Sequence, residues 1–373
     1  MNKKVMMAAP FSPNGRYNGG ISYVVNELAK ETQCLEQNGI ELSRFETCRV
    51  NRENSAIGSF NFLNIKNALK IYFDLPGEIS MDNSEILYFH TSFGMALLKD
   101  ILAIRRAKKK TKIKTVLHIH FAEYAKIMTG KNAVDQLMLR WLKKYVDHIV
   151  FLSKNTMAEF VSHGIDENKC SVIYNFSSFD YAKEKIFDKV SSDVVVPQFL
   201  FVGSIDERKG IFDVLECMTD MDNDFVLHIC GACGNDKDEE RFNKYRELLG
   251  EKLVFHGYVN GAEKEKVYFD SDILLLPSYG EGLPIVILEA YSAACAVIAT
   301  NVGAIPEVVG DSNGTLIVPG DKALIKETLL RYLNDQDKLL KSKQKYNYEI
   351  SEQFSLEAFI KNVSDVCDKV KLK

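Results

Sequence analysis

Short uninterrupted apolar runs, each followed by a stretch of amphipathic helical period, restrict this chain more than any other feature. The first half reads "KVMMAA" (4–9), "ISYVVNELAKE" (21–31), "EILYFH" (85–90), "MALLKDILAIRRA" (95–107), "KTVLHIH" (114–120), "VDQLMLRWLKKY" (134–145), "HIVFLS" (148–153), "TMAEFVSHG" (156–164) and "KCSVIYN" (169–175). Strands without polar alternation must be covered on both faces, which a parallel sheet flanked by helices achieves. Around 177–197 the sequence turns polar and irregular, ends in a proline, and reads as a linker. The alternation then restarts with "FLFVGS" (199–204), "DFVLHICG" (224–231), "KLVFHG" (252–257), "DILLLP" (272–277), "AVIAT" (296–300) and "GTLIVP" (314–319). The expected architecture is two Rossmann-like, doubly wound domains, 1–185 and 186–353. A tail, 354–373, has Leu356, Phe359, Ile360, Val363 and Val366 at the spacing of an amphipathic helix. Two such domains present their binding edges at the carboxyl ends of their strands, so the cleft between them is the expected site.

The length agrees, since 373 residues exceed what one hydrophobic core usually organises. The net charge of −4 hides an asymmetry: residues 1–185 carry 26 Lys and Arg against 19 Asp and Glu, and the remainder 21 against 32. Part of the positive half is the run "RRAKKKTKIK" (105–114). It reads either as a solvated helix end followed by a loop, or as a surface that meets anionic lipid or an acidic acceptor. Nucleic acid is disfavoured, because the run has no interleaved aromatics and the whole chain is acidic. The start, "MNKKVMMAAPF", has too short an apolar stretch for a signal peptide and reads as a first strand, and no apolar segment approaches membrane-spanning length. The expected location is cytoplasmic, with the inner membrane face as a peripheral station. Eight scattered cysteines favour reduced thiols, and the Cys230-x-x-Cys233 pair lacks the second pair a zinc site would want.

The stretch "PSYGEGLPIVILEA" (277–290) carries the chemistry. It reads as a glycine-rich turn after a strand, followed by a helix with Pro284 in its first turn, where a missing N–H costs nothing. Glu281 then stands just before a helix N-terminus, among amides of Gly282, Leu283 and Pro284's neighbours that form an anion site. Glu289 lies roughly 7–8 Å further along the axis. In apolar company it must meet donors, either sugar or ribose hydroxyls or a nearby lysine. "FVGSIDERKGI" (201–211) adds Arg208 and Lys209 at the opening of another helix, a cluster suited to a diphosphate. Near the start, "PNGRYNGGIS" (13–22) places Gly19 and Gly20 between a strand and its helix. It lacks the glycine spacing and the acidic ribose ligand of an NAD site.

Taken in order, "NGGIS", "HIH", "VIYNFSSF", "FVGSIDERKG", "YGEGLPIVILEA", "TNVGAIPEVV" and "GTLIVPGD" make the whole chain resemble a retaining glycosyltransferase of family 4, with the GT-B fold. The resemblance implies that Glu289 binds the nucleotide's ribose, that Glu281 holds the transferred sugar with amides near Gly282, Leu283 and Pro284, and that Lys209 neutralises the leaving diphosphate. It places Gly203 and Ser204 beside the nucleotide, Gly19 and Gly20 beside the phosphates and acceptor, and His120 beside the sugar's reacting face. The terminal helix crosses back to the first domain in this family. Ser204 departs from the pattern, since the family usually has Arg there; Arg208 is the candidate replacement. Phe176 stands where a glycine is common.

The implied reaction moves a hexosyl or N-acetylhexosaminyl group from a nucleotide sugar, UDP favoured over GDP, to a hydroxyl of a glycan or lipid-linked acceptor. Attack comes from the face the diphosphate leaves, giving retention, and the reaction is expected to use neither a metal ion nor a cofactor. The competing readings are a nucleotide-sugar epimerase of related architecture and a catalytically inactive sugar-binding subunit.

Overall fold

A computed structural model describes residues 2–11, 19–48, 62–121, 133–334 and 339–371. Among the described residues the strands form two six-stranded sheets, parallel throughout, and the chain divides into two compact units.

The first unit comprises residues 1–175 and 356–373. Its strands are β1 (Lys3–Ala9), β2 (Ile40–Glu46), β3 (Ile86–Thr91), β4 (Lys114–Ile119), β5 (His148–Phe151) and β6 (Cys170–Val172), in the order β2-β1-β3-β4-β5-β6. β3 and β5 are buried along their whole length, because helices cover both faces of the sheet. β2, at the edge, alternates between buried Ile40 and Phe45 and exposed neighbours; its polar "IELSRFE" carries no continuous apolar signal, and the sequence reading has no strand there. It also has no helix at Phe62–Asp82, which contains Pro76 and exposes several apolar side chains.

Helix Leu356–Lys371 belongs to the first unit and turns Phe359, Ile360, Val363, Val366, Cys367 and Val370 inward. Lys3 pins it, donating from Nζ to Ser364 Oγ at 2.9 Å and pairing with Asp368 at 2.8 Å.

The second unit, residues 176–355, holds β7 (Gln198–Val202), β8 (Val226–Cys230), β9 (Leu253–Gly257), β10 (Ile273–Leu276), β11 (Ala296–Thr300) and β12 (Gly314–Ile317), ordered β12-β11-β10-β7-β8-β9. The 185/186 boundary read from the sequence therefore falls inside this unit. Residues 176–182 are strapped to it: Phe179 packs edge-on against Tyr268 and Tyr181 Oη donates to Glu265 O at 2.8 Å. The stretch read as irregular contains a helix, Lys183–Ser191, with Ile186 buried and Lys189 Nζ donating to Ser271 O at 2.7 Å and Ala293 O at 2.6 Å.

Truncating Ile360, which is fully buried, removes packing between the last helix and the first sheet. Ile360→Ala should cost about 2–5 kcal/mol. Urea unfolding followed by fluorescence of Trp141, the one tryptophan and a residue of the first unit, reads this directly; an unchanged midpoint would contradict the assignment of that helix to the first core.

Candidate active site

In the second sheet the chain runs outward from β7 through β8 and β9, then returns to build β10, β11 and β12 on β7's other side. β7 and β10 are thus adjacent strands from which the chain proceeds in opposite directions, the switch point where open α/β sheets bind ligands. The loop after β7 carries Gly203, Ser204, Arg208 and Lys209; the loop after β10 carries Glu281, Gly282, Leu283 and Pro284.

These two loops are fixed to each other. Tyr279 N donates to Arg208 O at 2.9 Å, and Gly210, at φ 67°, passes so near Pro277 that a Cβ would stand 2.1 Å from its carbonyl oxygen. Lys209 Nζ donates to Glu281 Oε1 at 2.5 Å, with both side chains largely buried. Asp206 caps the turn by accepting from Lys209 N at 2.8 Å, while its other oxygen accepts from Ser204 Oγ at 2.6 Å. Arg208 is 60% exposed, with its guanidinium 3.8 Å from Asp206 Oδ2, the oxygen that also accepts from Ser204 Oγ. From the next loop Gly303 lies against Glu281, where a Cβ would meet Glu281 O at 2.0 Å, and Ala304 N donates to Gly282 O at 3.0 Å.

Helix Ile285–Ser292 starts one residue later than the sequence suggests, with Pro284 as its N-cap rather than in its first turn; the backbone there is still extended, at ψ 126°. Glu289 is fully buried on this helix. Its donors come from within the chain: Lys264 Nζ donates to Oε1 at 2.5 Å and Tyr268 Oη to Oε2 at 2.8 Å. Of the two options read from the sequence, the structure supplies the nearby lysine. Burial, reinforced by the neighbouring carboxylate, pushes the Tyr268 phenol well above its usual range and keeps it a donor. Lys264 and Tyr268 were missed by sequence reasoning; their signal is the four-residue spacing that puts them on one face of helix Gly261–Asp270.

In the first unit Gly19, at φ 108°, is the N-cap of helix Gly20–Lys30, and both glycines are exposed. Residues 12–18 of the preceding loop lie outside the described residues. His120 follows β4 and does not stand alone: its Nε2 lies 2.7 Å from His90 Nδ1, and its ring stacks on His118 with centroids 4.1 Å apart. Burial holds all three imidazoles below their usual pKa, His120 at about 3. These three are the residues among those described whose nitrogens gather closely enough to suggest a metal site. Cys230 and Cys233 join no such group among the described residues, and the cysteines are free thiols.

Comparison with known proteins agrees with this architecture. The profile of Glycosyltransferase Family 4 matches residues 18–178, and that of Glycosyl transferases group 1 matches residues 182–350. The chain belongs to this family of glycosyltransferases and has the GT-B fold. It is 27% identical, over 80% of its length and 83% of the relative's, to an uncharacterized 41.2 kDa protein of the cps region of Klebsiella pneumoniae. It is 24% identical to the alpha-galactosylglucosyldiacylglycerol synthase of Streptococcus pneumoniae, over 70% of this chain and 73% of that one. Among solved structures, sucrose-phosphate synthase from Thermosynechococcus elongatus superposes over 100% of both chains with a TM-score of 0.74 at 16% identity.

The Glu289 arrangement yields a direct test. Lys264→Met would leave a buried carboxylate without its cation, a loss of about 3–5 kcal/mol at neutral pH. Chemical denaturation at neutral pH measures the deficit; an unchanged midpoint would contradict the pairing.

Proposed function

We propose that this glycosyltransferase moves a hexosyl or N-acetylhexosaminyl group from a nucleoside diphosphate sugar, UDP in preference to GDP, to a hydroxyl of a glycan or lipid-linked acceptor, with retention at the anomeric carbon. The observation that carries the reading is the Lys209–Glu281 pair, joined at 2.5 Å from the loops of adjacent central strands. A diphosphate entering this switch point meets an ammonium already aimed at it by Glu281 and held on the Asp206-capped turn. Lys209 then balances charge as the glycosidic oxygen departs, while Glu281 and the amides near Gly282 hold the sugar; no divalent ion is required for that balance. Glu289 serves the ribose by exchanging Lys264, whose side chain reaches solvent, for ribose hydroxyls. Support for UDP comes from an Anabaena protein of the same fold solved with UDP and with UDP-glucose, with TM-scores of 0.69 and 0.67.

The lipid-linked option is supported by the first unit. Helix Phe62–Asp82 exposes Ile65, Leu69 and Phe73, four residues apart and hence on one stripe. Beside it the basic run is a helix end through Thr111 followed by a short loop into β4. Its first charges are engaged inwardly: Arg105 stacks over Trp141, Arg106 over Tyr72 and Phe73, and Lys108 pairs with Asp147. Lys109, which also lies 5.9 Å from the Tyr145 ring centroid, Lys110 and Lys112 are exposed and can meet an anionic leaflet. No helix among the described residues is long and apolar enough to cross a membrane, so this contact would be peripheral.

Two experiments test the reading. Lys209→Ala should lower kcat by about two orders of magnitude, the equivalent of roughly 3 kcal/mol of leaving-group stabilisation; the melting temperature should fall as well, because Glu281 loses its partner, so the rate is read below the variant's own transition. Nucleoside diphosphate release in the presence of acceptor and EDTA gives the rate. Donor alone serves as the control: an epimerised sugar there would identify an epimerase, and absence of turnover both with and without acceptor an inactive binder. Separately, Lys109→Gln with Lys110→Gln should weaken sedimentation with phosphatidylserine vesicles by about 2 kcal/mol, or roughly 30-fold, at low salt. Wild-type protein that stays in the supernatant under those conditions would point to a soluble acceptor.

A further inference from the structure

Tyr88, His90 and His118 occupy one face of adjacent parallel strands, with His90 directly opposite His118 in the register and Tyr88 two residues before His90. His120 stands two residues beyond His118 on the same face, its backbone N–H held by Thr91 O at 2.9 Å. A column of polar rings thus runs along one face of the central strands, covered in part by Phe359, whose ring stacks toward His118. The reading above uses only His120.

We propose that His90 is a positioning residue that holds His120 in the tautomer protonated on Nδ1, so that His120 meets the sugar as a hydrogen-bond donor and not as a base. This rests on the reading that His120 borders the sugar. The 2.7 Å contact between His90 Nδ1 and His120 Nε2 places one proton between the two nitrogens. Its origin follows from the other side of His90, where Nε2 is buried with no partner. A buried N–H left unpaired is rarer than an unpaired buried acceptor, so His90 carries its single proton on Nδ1 and donates it to His120 Nε2. His120, neutral because burial holds its pKa at about 3, must then carry its own proton on Nδ1. That nitrogen makes no hydrogen bond among the described residues and is available to a ligand.

The same geometry argues against a metal ion. Two nitrogens on one tetrahedral zinc lie about 3.3 Å apart, given bonds of about 2.0–2.1 Å. The His90–His120 contact is shorter, and the three rings lie within 28° to 32° of parallel instead of radiating from a common point.

The test uses the full chain without any ligand, labelled with ¹⁵N-histidine, with His120 assigned through a His120→Gln variant. Long-range proton–nitrogen correlation should show wild-type His120 protonated on Nδ1. His90→Phe should abolish that preference, and His90→Asn, whose amide can donate from the Nδ1 position, should restore it; melting temperatures confirm that both fold. In transfer assays His90→Phe should lower kcat about tenfold, the worth of one hydrogen bond, and His90→Asn should recover it. The proposal is overturned if wild-type His120 is protonated on Nε2, or if its tautomer ignores the loss of His90. It is equally overturned if cobalt(II) binds one-to-one with a visible band that each of the three histidine substitutions removes. Should the tautomer result hold while no nucleotide sugar supports transfer, it is the functional reading that fails and the lock on His120 that stands.

Discussion

Lys209 and Glu281, 72 residues apart in sequence, can touch only because β7 and β10 are neighbours, and that adjacency organises the second unit. A parallel strand cannot be reached by a hairpin, so the chain crosses over a helix each time and must reverse its direction of travel once to fill both sides of β7. At that reversal the chain leaves β7 toward β8 and β10 toward β11, in opposite directions, while the loops that follow the two strands meet at the sheet's carboxyl edge. Glycine is required where backbones then pass at close range: Gly210 beside Pro277 and Gly303 beside Glu281 leave no room for a Cβ. The ion pair is therefore clamped by backbone on either side, which is what an electrostatic site needs if it is not to reorganise as charge develops.

The two carboxylates of the Glu281-x7-Glu289 pair are handled alike despite their different depths. Each has its own lysine at 2.5 Å, Lys209 for Glu281 and Lys264 for Glu289. Buried carboxylates are costly without such partners. In the proposed reading a nucleoside diphosphate brings both negative charge, suited to a lysine, and hydroxyl donors, suited to a carboxylate.

The first unit solves a different problem. Its central strands bury a column of imidazoles, and burial holds those rings below their usual pKa and so favours the neutral form. Neutral rings in contact constrain one another through single protons, so orientation, not charge, is what such a column transmits. The outer helices of the same unit carry the charge instead, divided between cations stacked on aromatic rings and cations facing solvent.

Continuous apolar runs sufficed to determine the parallel α/β class and every strand except β2, because a run without polar alternation is a local mark that needs no knowledge of its neighbours. The loops bearing Lys209 and Glu281 were legible for the same reason: glycine and cations at a strand end are local features. β2 and helix Phe62–Asp82 left no clear mark, since an edge strand is half polar and an amphipathic helix with an outward apolar stripe and an internal proline looks irregular. Lys264, Tyr268 and His90 were illegible because each acts through a residue distant in sequence. Only the register of β3 with β4 brings His90 opposite His118 and within reach of His120, and only the packing of two helices gives Glu289 its donors. Local pattern determines which residues are buried; which buried polar groups meet is decided by strand order and packing, and that appears only when the chain is folded.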